Sequence, residues 1–141
     1  MLAGCGGDDN EGKSVVNPDG SITVDMVEES GSGQSGKATF YRLEGERTRI
    51  VIDVDGGGDG PFPVYIHENA CNRPDPTLID QLQPVADGRS ESVAPVAFQH
   101  LRTSPHSLIV HKSRDALDDY VSCGSIGRLG SPEREESLLE R

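Results

Sequence analysis

The sequence predicts an all-β fold, a two-sheet antiparallel sandwich, and three observations carry that expectation. Between residues 21 and 126 the apolar residues recur with period two, as they do in strands buried on one face. Turn signals interrupt this pattern about every 8–12 residues, which divides it into roughly seven or eight short strands. The 17 Gly and 9 Pro of the 141 residues favour turns over long helices, and the length supports a single domain. Only 33% of the residues are hydrophobic and 4% aromatic, so the core is thin and a covalent staple would matter.

Ile22, Val24 and Met26 alternate with Thr23, Asp25 and Val27, and they open the pattern as a strand. The stretch 31–36 (GSGQSG) reads as a flexible connection. Residues 37–43 and 47–54 flank Glu44-Gly45-Glu46, a glycine-bearing connection of hairpin length. In the second arm Thr48, Ile50, Ile52 and Val54 share one face, with Arg49, Val51 and Asp53 on the other. The glycine-rich run 56–61 ends that arm. It lacks the following helix and the Lys-Ser/Thr of a phosphate loop, so it reads as a solvent turn. Val64-Tyr65-Ile66-His67 is a short strand, and a Pro-rich connection through Pro74 and Pro76 leads to a mixed strand over residues 78–85. Asp87-Gly88 makes a tight turn before another alternating stretch, 90–98, in which Pro95 points to an edge or a bulge. Residues 99–102 read as a helical turn, 107–111 as a strand, and 121–126 as the closing strand. Asp118-Asp119 reads as a solvated turn.

The formal charge is −11, from 13 Lys and Arg against 24 Asp and Glu. That balance argues against binding nucleic acid and against a polybasic membrane patch. No apolar stretch approaches the roughly 20 residues of a membrane span. His106 and Ser107 are neighbours on opposite faces of a strand, which is no arrangement for nucleophilic catalysis. The ends are polar. Residues 1–20 read as a flexible acidic linker, 21–127 as the sandwich, and 128–141 as a charged tail with a short helical start at Pro132.

The three cysteines are Cys5, Cys71 and Cys123. Leu2-Ala3-Gly4-Cys5, followed by a polar linker, resembles the bacterial lipobox, in which a diacylglycerol is attached to the Cys sulfur. That reading makes Cys5 the lipid anchor to the outer face of a bacterial membrane and expects a longer leader ahead of Met1. Cys71 and Cys123 are then either a disulfide of an exported protein or two free thiols. A bridge closing a loop of about 50 residues would contribute roughly 4 kcal/mol in the chain-entropy model.

Three strings line up in order. Tyr65-Ile66-His67-Glu68 followed by Cys71 is similar to the His-x-His-Glu segment that precedes the disulfide cysteine in copper/zinc superoxide dismutases. Leu108-Ile109-Val110-His111-Lys112 resembles their later strand ending in a copper-ligand His, and Tyr120 to Gly127 (YVSCGSIG) resembles their closing segment. Asp87-Gly88-Arg89-Ser90 and Val110-His111-Lys112-Ser113 bring the chain nearer to small bacterial lipoproteins that look like stripped members of that family. The resemblance implies a Greek-key sandwich of Ig-like architecture. It also implies a Cys71–Cys123 disulfide and copper ligands at His67 and His111.

The departures from the pattern shape the functional expectation. Tyr65 stands where the family has the first His of His-x-His, on the same strand face as His67, and could add a phenolate. The connection after Cys71 has no His, so no zinc site and no bridging ligand are expected there; His100 and His106 lie elsewhere. Tyr120 takes the place of the Arg that guides superoxide. The expected protein is therefore an envelope lipoprotein without dismutase activity, in which His67 and His111 are either a vestigial, weak copper site or ordinary partly buried histidines that hydrogen-bond across strands. An active copper-only dismutase and a metal-free interaction module are the alternatives.

Overall fold

The computed structural model describes residues 14–127 as nine strands and one short helix. The strands are β1 (Ser14–Val16), β2 (Ile22–Glu28), β3 (Ser35–Leu43), β4 (Arg47–Asp55), β5 (Phe62–Glu68), β6 (Leu78–Val85), β7 (Arg89–Ala94), β8 (His106–Ser113) and β9 (Ala116–Ile126). Helix α1 (Phe98–Thr103) joins β7 to β8. Cys5, residues 1–13 of the expected linker, and the tail from residue 128 lie outside the described residues. The paired sheet begins ahead of residue 21, because Ser14–Val16 adds to β2 through Ser14↔Val24 and Val16↔Ile22.

Every ladder is antiparallel, in the order β6-β5-β8-β9-β2-β3-β4-β7. Strand β2 links the two layers. Ile22–Met26 pair with β3, while Val27 and Glu28 pair with Cys123 and Ser122 of β9. The ends of the order, β6 and β7, come together through side chains. Ser90 Oγ donates to the Gln83 carbonyl (2.7 Å), and the Gln83 N–H donates to Ser92 Oγ (2.8 Å). The result is an all-β sandwich closed nearly into a barrel.

Period two selects the core. Ile22, Val24 and Met26 of β2, Ala38 and Phe40 of β3, and Ile50, Ile52 and Val54 of β4 turn inward against Val64, Ile66, Leu108 and Val110. All three Phe of the chain (Phe40, Phe62 and Phe98) are in this cluster, so every Phe is spent on the interior. Helix α1 contributes Phe98 and Leu101 to it. Thr48, on the apolar face of β4, is buried because its hydroxyl donates to the Val96 carbonyl (2.8 Å).

Two local expectations change. Strand β7 ends at Ala94, so Pro95 follows the strand instead of interrupting it, at a position where no ladder N–H is needed. Strand β9 starts at Ala116, five residues earlier than the alternation indicates, and Asp118 and Asp119 are exposed strand residues. The partner strand explains this: Ser113↔Ala116 and His111↔Tyr120 extend the ladder through residues whose local preference is for a turn.

Candidate metal centre

Strands β5 and β8 lie side by side with Tyr65↔Ile109 and His67↔Ser107 in register. Because Val64, Ile66, Leu108 and Val110 point into the core, Tyr65, His67, Ile109 and His111 point to the outer face of this sheet. An outer face is ordinarily wet, yet His67 and His111 are each only 1% exposed. A second layer covers them.

That layer is the connection 69–77 together with the start of β9. A disulfide joins Cys71 to Cys123, with the Cα atoms 6.0 Å apart. The Cys71 N–H donates to Ser125 Oγ (2.9 Å), and the Asp75 N–H donates to the Glu68 carbonyl (2.9 Å). The connection is thereby pinned at both ends over the outer face of β5, β8 and β9. The cysteines form the bridge that the resemblance implied.

Two irregularities in the ladders aim the histidines. The β5–β6 register shifts between Ile66 and His67, and the β8–β9 register shifts between Val110 and His111. Such shifts redirect a side chain without ending the strand. His67 Nε2 and His111 Nε2 come to 3.1 Å of each other, with ring centroids 5.2 Å apart. The far nitrogens are both committed. His67 Nδ1–H donates to the Asp75 carbonyl (2.8 Å), and His111 Nδ1–H donates to the Leu117 carbonyl (2.8 Å).

These contacts determine the tautomers. A carbonyl only accepts, so each Nδ1 carries the hydrogen and each neutral ring presents a lone pair at Nε2. Burial holds both imidazoles below the ordinary histidine range, and at His111 the neighbouring His67 adds to the effect. At neutral pH two lone pairs therefore face each other in a buried site, which is unfavourable unless a cation lies between them. Two nitrogens on one metal at bonds of about 2.0–2.1 Å stand roughly 2.8–3.4 Å apart at about 90–110°, and 3.1 Å fits. The imidazole–Nδ1–H–carbonyl arrangement is also how metal-binding histidines are held.

Tyr65 and Tyr120 flank the pair. The Tyr65 ring meets His111 edge-on at 5.3 Å, and Tyr120 meets it at 5.4 Å and lies 6.4 Å from His67. Burial, together with the Asp118 and Glu29 carboxylates, raises the Tyr120 hydroxyl above its ordinary value, so it stays a neutral phenol. Ser107 is fully buried beside His67, and its Oγ has no hydrogen-bond partner among the described residues. Among the described residues, no three His, Cys, Asp or Glu side chains are gathered closely enough to hold a metal together. The centre consists of two imidazoles with tyrosines at their rim.

His67, His111 and Tyr65, the three metal candidates of the sequence, stand together. Tyr120, which in the sequence only occupies the place of a guiding Arg, is a wall of the same site. The carbonyls of Asp75 and Leu117 were not foreseen, since any residue type supplies one. No family model, curated protein or solved structure matches this chain.

Proposed function

We propose that this chain is an exported β-sandwich that binds one copper ion between His67 and His111 and does not act as a dismutase. The observation that carries the reading is the 3.1 Å Nε2···Nε2 approach of two rings whose Nδ1–H groups are both given to carbonyls. Neutral imidazole suits copper, and among divalent first-row metals copper binds such a nitrogen site most tightly. The superoxide dismutase-like strings around His67, His111 and Cys123 favour the same metal. Copper, when bound, supplies one-electron redox chemistry. The protein's own part is to hold the two nitrogens in place, exclude water by burial, and narrow the approach with Tyr65 and Tyr120.

Two features favour a binding role over catalysis. Tyr120 is neutral where the dismutase pattern has a cationic Arg, and a net charge of −11 repels an anionic substrate. The Cys71–Cys123 bridge favours an oxidising compartment. The lipobox-like Leu2-Ala3-Gly4-Cys5 favours a lipid on Cys5 that holds the protein on the outer face of a bacterial membrane. Cys5→Ser would then move the protein from the membrane fraction to the soluble fraction.

The test is a copper titration of the purified chain. The expected result is one equivalent bound more tightly than about micromolar, with affinity falling at least about tenfold in His67→Ala and in His111→Ala. Absence of binding in the folded protein would overturn the reading. Superoxide dismutation by the copper-loaded protein, lost in His111→Ala, would replace the binding role with an enzymatic one.

A further inference from the structure

Near the start of β5 the strand pairing fails, and the failure leaves a hollow. Between Phe62↔Val85 and Val64↔Leu82 the β5–β6 register shifts, so that Pro63 of β5 stands against Gln83 and Pro84 of β6. Neither proline has an N–H to give to a ladder, and within sheets such residues are confined to bulges and edges. On the other side of β5, the pairing with β8 ends at Val64↔Val110. Beyond that point β8 continues with β9 alone and turns back through Arg114, between Ser113 and Ala116. The space between the β5–β6 bulge and the β8–β9 hairpin is a cavity of about 340 Å³. Pro61, Pro63, Leu82 and Pro84 give it apolar walls, while Gln81, Ser113 and Arg114 are its polar residues. It shares no lining residue with the His67–His111 centre.

We propose that this cavity binds an aromatic carboxylate, with the carboxylate on the Arg114 guanidinium and the ring between the prolines. The charge of the lining selects the anion. The chain has 24 Asp and Glu, yet among the described residues that line the cavity none is acidic, and Arg114 is the one charged side chain. Among the described residues Arg114 makes no ion pair, whereas Lys37, Arg49 and Arg89 each hold a carboxylate. A guanidinium offers parallel N–H groups that match a carboxylate, so the ligand's own anion supplies the partner that the protein withholds. The prolines select the ring. Proline and aromatic rings pack well together, as in the recognition of Pro-rich segments, and here the prolines belong to the protein. Apolar walls with a few polar groups, in a volume of this size, are the usual make-up of a small-molecule pocket.

Amide NMR of the metal-free full chain during addition of benzoate tests the proposal. With no copper present, the outcome is independent of the copper reading. The signals of Gln81, Leu82, Ser113 and Arg114 are expected to move together and to saturate at about millimolar benzoate or below. Benzyl alcohol carries the ring without the anion, and acetate carries the anion without the ring. Each is expected to bind at least about tenfold more weakly than benzoate. Arg114→Gln, a change at an exposed hairpin turn that leaves the core signals in place, is expected to weaken benzoate by at least about tenfold. The proposal is overturned if the four signals do not respond to benzoate in the folded protein. It is equally overturned if Arg114→Gln binds benzoate unchanged, or if either fragment binds as tightly as benzoate.

Discussion

His67 and His111 differ from ordinary buried histidines in what their outer nitrogens face. A histidine that only stabilises a core gives one nitrogen a donor and the other an acceptor; here both Nδ1–H groups meet carbonyls and both Nε2 atoms meet each other. Tyr120, as a neutral phenol, contributes shape more than charge. Tyr120→Phe is expected to leave copper affinity within about threefold, far short of a ligand loss. A large loss in that titration would make the phenol a ligand. Elsewhere the core sets equally local demands. A Cβ on Gly124 would come within 2.7 Å of Met26 Sδ and 3.0 Å of Val24 Cγ2, since β9 crosses β2 closely at that point. Gly124→Ala is expected to cost about 1–3 kcal/mol in urea unfolding, and a neutral result would contradict this packing.

The site depends on elements that are not themselves strands. The connection 69–77 supplies the Asp75 carbonyl that sets the His67 tautomer, and the Cys71–Cys123 bridge holds that connection down. Replacing both cysteines by Ala is expected to lower stability by about 2–4 kcal/mol. The same variant is expected to weaken copper binding by about ten- to a hundredfold, because His67 loses its orienting partner. Unchanged affinity would separate the bridge from the site. Much of this level was legible in the residues. Period two marked β2 and β4, Gly45 marked the hairpin, and the histidines were conspicuous in a chain with four of them. The early start of β9 was hidden, because residues 114–119 prefer turns and only the partner β8 makes residues 116–119 extend. The shifts of register beside His67 and His111 were hidden too, since they arise from pairing across strands distant in sequence.

At the scale of the molecule, the thin core is closed by every Phe, by α1 and by the disulfide, while the outer faces carry charge. The surface pairs Lys37–Asp25, Arg49–Glu91 and Arg89–Asp53 are exposed and contribute little each. Acid acts mainly through the buried histidines. Burial lowers His67, His106 and His111 below the ordinary value of 6.5, so below that value the folded protein holds fewer protons than the unfolded chain. Stability is full above that value and falls as the pH drops through it. The carboxylates of Asp19, Asp75 and Glu91, lowered by hydrogen bonds from Ser21, Thr77 and Arg49, add their loss further down, as the pH falls through the ordinary values of 4.5 for Glu91 and 3.8 for the two Asp. The metal-free protein is expected to melt several degrees lower at pH 5.5 than at pH 7.5. An equal or higher melting temperature at pH 5.5 would contradict this. The central claim, that two neutral imidazoles face a single cation, is tested most directly by imidazole ¹⁵N NMR at pH 7.5. Both His67 and His111 are expected to be Nδ1–H tautomers without metal, and both Nε2 signals are expected to move with one equivalent of Cu(I). An Nε2–H tautomer in either ring, or Nε2 signals that ignore copper, would contradict it.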